Sequence, residues 1–145
     1  MRALLCHEWG GLDKLQMGEL APPAPAPGQV VIDVVATAAN YADAIMVAGK
    51  YQTRPSLPFA PGLETAGTVA ACGEGVTHVR TGQRVMALLH HGGMAEQALA
   101  EAADVWPVPD TMSLVDAAAF PVAYFSSDVA LRWQGRLECS ETLLV

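Results

Sequence analysis

A chain of 145 residues is sized for one domain with its own core, since a chain near this length buries roughly two thirds of its unfolded surface. Hydrophobic residues make up 52% and charged residues 16%, which excludes a disordered tail or a coiled coil. The net charge of −7, with Lys14, Lys50 and the arginines scattered, argues against nucleic acid and anionic membrane surfaces as partners, because both need clustered cations.

In chain order, residues 2–6 read as a first short strand and Gly10-Gly11 as a turn. The apolar run at Ala3-Leu4-Leu5-Cys6 is too short for a signal peptide, and no stretch approaches the ~18 apolar residues of a membrane span. Cys6, Cys72 and Cys139 lie far apart without framework spacing, so a reduced cytoplasm is the expected setting. Residues 20–28 are too proline-rich for ladder hydrogen bonds and form an extended connector. Gln29 to Thr37 gives the strongest strand signal, β-branched and apolar with Asp33 interrupting.

A short helix is expected over 40–48. Asn40 is its N-cap, Asp43 stands where a carboxylate favours a helix N-terminus, and Gly49 closes it. Residues 56–62 form a stiff loop with Pro58 and Pro61, and further strands are expected over 65–71, 84–89 and 94–100. Short strands at this spacing, punctuated by Gly turns, indicate a barrel or sandwich. Gly73-Glu74-Gly75 lacks the third glycine of a dinucleotide turn and carries Glu74 where a pyrophosphate would lie, so it reads as a strand connection. A helix over 113–120 starts at Ser113, Pro121 interrupts, and a second helix follows over 123–133. Residues 141–145 then read as a lone apolar strand, the opening of a further unit. No metal site is expected: Cys6-His7 and His90-His91 are sequence neighbours, and neighbours on a strand point to opposite faces.

The segments Ala39-Asn40-Tyr41-Ala42-Asp43, Gly49-Lys50-Tyr51 and Leu57-Pro58-Phe59-Ala60-Pro61-Gly62-Leu63-Glu64 closely resemble the zinc-independent quinone oxidoreductases related to zeta-crystallin, in the medium-chain dehydrogenase/reductase superfamily. Gly75-Val76, Gly82-Gln83-Arg84-Val85-Met86-Ala87, Gly92-Gly93-Met94-Ala95-Glu96, Ala118-Ala119-Phe120-Pro121-Val122-Ala123-Tyr124 and Glu141-Thr142-Leu143-Leu144-Val145 match in the same order. The resemblance implies a mainly β fold with short helices. Residues 1–121 would be a GroES-like β-barrel; residues 122–145 would be a connecting helix and the first strand of a truncated Rossmann domain.

The implied activity is hydride transfer from NADPH to a quinone or conjugated enone. An enoyl-thioester reductase is the neighbouring alternative, and a non-enzymatic GroES-like interaction module is the other class. NADPH would be bound mainly by the absent domain, so this chain alone is expected to be inactive. Zinc-using relatives need a Cys and a His where Tyr41 and Leu63 stand, at or close to those places, and neither residue ligates zinc. Glu64, which lies near the metal in zinc relatives, reads as a buried or loop-anchoring carboxylate, with a catalytic role as the alternative. The resemblance assigns carbonyl-polarising roles to Asn40 and Tyr51, substrate walls to Tyr41 and Phe59, and a hydroxyl near the nicotinamide to Ser126. The sequence departs from the common pattern at Ala123, where many relatives carry Thr, and at Glu138-Cys139-Ser140, where Pro-Gly is usual. The apolar strand end, left uncovered, is expected either to stay disordered or to dock on a second copy, and a homodimer is the favoured outcome.

Overall fold

The computed structural model describes residues 1–144. Strands β1 (Arg2–Cys6) and β2 (Leu15–Glu19) form an antiparallel pair in which Arg2 faces Glu19 and Cys6 faces Leu15. Five more strands make one antiparallel sheet: β3 (Gln29–Thr37), β4 (Glu64–Cys72), β5 (Arg84–Leu88), β6 (Gln97–Glu101) and β7 (Val105–Pro107). Their order is β6-β3-β4-β5-β7, and the sheet curls into a half-barrel. Helix α1 (Tyr41–Val47) lies between β3 and β4, and α2 (Leu114–Ala118) follows β7. The mainly β architecture is therefore the expected one.

β3 is flanked by β4 and β6, and Val30, Val31 and Ile32 are buried on both of its faces. That is why its sequence reads as a nearly unbroken apolar run. Val30 and Ile32 join Val69, Val85, Ala98 and Val105 in the main core cluster. Each such aliphatic side chain contributes roughly 1.5–3 kcal/mol by leaving water. The alanines have a separate use. Ala117 and Ala118 of α2 are small enough to bring that helix down onto Ala66, Met86 and Val108. A further cluster, Cys6, Met46, Val47, Phe59 and Leu63, seats α1 against β1 and the proline loop.

Several elements depart from the sequence reading. β2 and β7 gave no signal, since LQMGE is largely exposed and VWP spans three residues. β6 begins at Gln97 rather than at 94 because the preceding residues are stitched elsewhere. The Met94 N–H donates to Pro61 O, its carbonyl accepts from Leu4 N–H, and the Glu96 N–H donates to Arg2 O. Pro121 does not interrupt a helix but opens one. Proline suits a helix start because its missing N–H would have no intrahelical partner there. A continuous helical stretch over 121–134 comprises π-helical turns at Pro121–Phe125 and Val129–Gln134 with α3 (Ser126–Asp128) between them.

Residues 141–144 are exposed and form no strand, and Val145, which completes the expected segment, lies outside the described residues. A strand exists by pairing, and no edge among the described residues pairs with this one. Among the described residues no helix is long and apolar enough to cross a membrane.

Candidate functional site

The site grows from the N-terminus of α1. Asn40 is extended, with φ −111° and ψ 156°. Its N–H donates to Asp43 Oδ2 at 2.8 Å, and its carbonyl accepts from the Asp43 N–H at 3.0 Å. Asn40 and Asp43 thus form a capping box at the helix start. The other Asp43 oxygen, Oδ1, accepts the Gly62 N–H at 2.9 Å and so ties the proline loop to the same place. Gly62 has φ 109°, and a Cβ there would lie 2.6 Å from the Met94 nitrogen, so only glycine fits.

The Asn40 side chain also reaches beyond its own helix. Its Nδ2 donates to Glu64 Oε1 at 2.9 Å, and Glu64 Oε2 accepts the Val122 N–H at 2.8 Å. Glu64 is 2% exposed and Asp43 4%. Among the described residues neither carboxylate enters an ion pair. Burying a carboxylate without a cation is expensive unless its oxygens are hydrogen-bonded, and here all four accept an N–H. One buried carboxyl, that of Glu64, thus joins the start of α1, the start of β4 and the start of the 121–134 helical stretch.

The other expected site residues are placed as follows. Tyr51 is half-buried and packs, with Ala42 and Val122, against the Cys6–Met46–Phe59–Leu63 cluster. Its hydroxyl has no hydrogen-bond partner among the described residues. The nearby loop is held by Arg54, whose guanidinium donates to Gly49 O and lies over the Trp9 ring. Tyr41 is 83% exposed and presents its ring on the surface. Ser126 is exposed on the helical stretch and makes no side-chain hydrogen bond among the described residues.

Phe59 stands both in the core and beside a cavity. It is 3% exposed, tilted against Trp9 at 5.5 Å and edge-on to His91 at 6.0 Å. Such a ring is largely a core side chain. Sequence reasoning took Glu64 for a buried or loop-anchoring carboxylate, and it is buried. The available signal was an acid set directly before the apolar run Thr65-Ala66-Gly67-Thr68-Val69.

A cavity of about 530 Å³ is lined by Phe59, Leu20, Leu88, His91, Leu99 and Glu101 among others, and Asn40, Tyr41, Tyr51 and Ser126 do not line it. Burial, and secondarily the neighbouring His90, pushes the His91 pKa down. Among the described residues no three His, Cys, Asp or Glu side chains converge as metal ligands would. Leu63, at the place of a zinc-relative histidine, is buried in the core cluster.

For a dinucleotide, the one Gly-x-Gly pair of the sequence is committed to structure. A Cβ on Gly73 would lie 1.9 Å from Ala26 O, its N–H donates to Gln29 O, and the Gly28 N–H donates to Glu74 O. That turn packs on the connector before β3 and cannot cradle a pyrophosphate.

Comparison with known proteins agrees with this architecture. Residues 26–110 match the alcohol dehydrogenase GroES-like domain. The chain is 38% identical over 144 residues to mouse quinone oxidoreductase-like protein 2, covering 99% of this chain and 41% of that one. It is 37% identical over 147 residues to the human synaptic vesicle membrane protein VAT-1 homolog, covering 100% of this chain and 37% of that one. It therefore spans about two fifths of the length of these relatives. Among solved structures, the human VAT-1 homolog-like protein superposes with TM-score 0.91 at 35% identity, over 95% of this chain and 45% of that one. Escherichia coli quinone oxidoreductase complexed with NADPH superposes with TM-score 0.86 at 29% identity, over 92% of this chain and 41% of that one. With the curled antiparallel sheet, the α1 cap and the match through its central 26–110 segment all in agreement, the chain belongs to the alcohol dehydrogenase GroES-like domain family.

Proposed function

We propose that this chain is the substrate side of a reductase that moves hydride from NADPH to a quinone or conjugated enone without a metal. The observation that carries the reading is the Asn40 amide, held by the buried Glu64 at the start of α1. The NADPH-complexed structure of the Escherichia coli relative supports the choice of nucleotide.

A carbonyl receiving hydride builds negative charge on oxygen, and donors already aimed at that oxygen lower the barrier. The Tyr51 hydroxyl, without a protein partner among the described residues, fills this role. Asn40 keeps a second amide hydrogen beyond the Glu64 contact, a neutral donor that suits the carboxamide oxygen of a nicotinamide or the substrate carbonyl. Tyr41 supplies an exposed ring against which a planar substrate stacks, and Ser126 a hydroxyl on the cofactor side. NADPH, when bound, supplies the hydride; its pyrophosphate belongs on a second unit, with residues 122–145 as the connection. Zinc is not required, because Tyr41 and Leu63 stand where ligands would be needed. The free thiols of Cys6, Cys72 and Cys139, the last exposed, fit a reducing cytoplasm.

The test joins this chain to the nucleotide-binding half of the Escherichia coli relative and follows NADPH absorbance. Quinone-dependent oxidation that persists in a chelator is expected, falling by roughly 10²-fold in Tyr51→Phe. A folded hybrid that binds NADPH yet reduces neither quinones nor enones overturns the reading.

A further inference from the structure

We infer that Glu64 is a positioning residue: it sets which way the Asn40 amide faces and registers that amide to the helical stretch beginning at Pro121. The inference rests on the reading of Asn40 just given. Glu64 Oε1 accepts from Asn40 Nδ2, and that contact holds the Asn40 amide with its NH₂ towards Glu64. The same carboxyl takes the Val122 N–H on its second oxygen.

Glutamine can replace it only if the Asn40 amide turns over, for a reason of donor count. Two N–H groups converge on this side chain, and glutamine has one oxygen and one NH₂. In Glu64→Gln, if the introduced oxygen stayed on Val122, the introduced NH₂ would face the Asn40 NH₂. The Asn40 amide would then have to turn over. If the oxygen stayed on Asn40 instead, the NH₂ would meet the Val122 N–H. A site 2% exposed has no room for water to repair either mismatch. The Asn40 contact is therefore directional, and turning the amide over would also aim its NH₂ at the helix start, where the capping box places its oxygen. A reversed pair tests whether a donor at position 40 is needed once the hydrogen bonds are restored. In E64Q combined with N40D, the introduced amide donates to the introduced carboxylate and its oxygen keeps Val122. Packing and hydrogen bonds return, while position 40 presents only acceptors.

The first arm needs no activity. Asn40 is the only asparagine of the chain, so ¹⁵N-asparagine labelling yields a single side-chain NH₂ pair in an NMR spectrum. One proton of that pair should be slow to exchange with water, and E64Q should abolish the difference. Two equally fast protons in the unsubstituted chain overturn the proposal. The second arm uses the hybrid enzyme with 1,4-benzoquinone. E64Q should lower both Tm and kcat, whereas E64Q/N40D should restore Tm and leave kcat reduced by roughly tenfold or more. Turnover recovering together with Tm overturns the proposal, since Glu64 would then be a brace and nothing else. A hybrid with no turnover at all removes the reading of Asn40 as a catalytic group; the NMR arm still decides whether Glu64 orients it.

Discussion

The half-barrel and the helical stretch that follows it are built from similarly apolar sequence and reach opposite ends. In the barrel, Val30, Ile32, Val85 and Ala87 are fully buried, because neighbouring strands and the curl of the sheet cover them. In the 121–134 stretch Pro121 alone is buried, and the turns from Ser126 onward bury nothing. Trp133 is 74% exposed and Tyr124 61%. The stretch is anchored only where it leaves the barrel. There Val122 donates to Glu64, Phe125 meets Trp106 edge-on at 4.7 Å, and Phe120 stacks on Tyr124 at 4.4 Å. Apolar composition thus does not make a core; a covering surface does, and the barrel supplies its own.

The comparison breaks most sharply under truncation of side chains. Ile32→Ala should lose about 3–4 kcal/mol in denaturant unfolding, from transfer and cavity together. Trp133→Ser should change stability by less than ~0.5 kcal/mol, the range of an exposed substitution. Equal effects would mean that the stretch is packed as tightly as the barrel. Next in size is self-association. The uncovered side chains at Leu137, Leu143 and Leu144 are expected to join copies of the chain, so its sedimentation should depend on concentration and lose that dependence when residues 137–145 are removed. A monomer in both forms up to roughly 1 mM rules such association out.

The smallest effect is a pH slope within the barrel. His91 titrates below its ordinary value of 6.5 because partial burial, and secondarily the neighbouring His90, disfavour its charged form, so the unfolded chain takes a proton that the folded one resists. Stability should therefore be flat above that value and decline as pH falls through it, and His91→Gln should reduce the decline. Glu8 and Glu96 are held below the ordinary carboxylate value of 4.5 by Lys14 and Arg2, so they contribute no slope in this window. Identical pH profiles for the chain and the variant would remove His91 as the cause.

Elements whose chemistry is local were legible in the sequence. Gln29–Thr37 folds as β3, Asn40 caps α1 with Asp43 answering it, and the Ser113 side chain accepts from the Asp116 N–H at the start of α2. Pairing decided the rest. β2 has little apolar pattern and exists because β1 lies beside it, while residues 141–144 have the pattern and no neighbour. In the candidate site, the residue types Asn40, Tyr41 and Tyr51 stood out, but burial did not. Phe59 is held in the core and also lines a cavity, two surroundings that a one-dimensional pattern cannot tell apart.

Composition and local chemistry by themselves determined that the chain is a mainly β domain with an acid-capped helix start and a proline-stiffened loop, because capping, turn and strand preferences act over a few residues. Only the tertiary structure decided that Glu64 reaches both Asn40, 24 residues before it, and Val122, 58 residues after it. Such a carboxyl finds its two donors through the folding of the sheet, so no spacing in the sequence announces the contact.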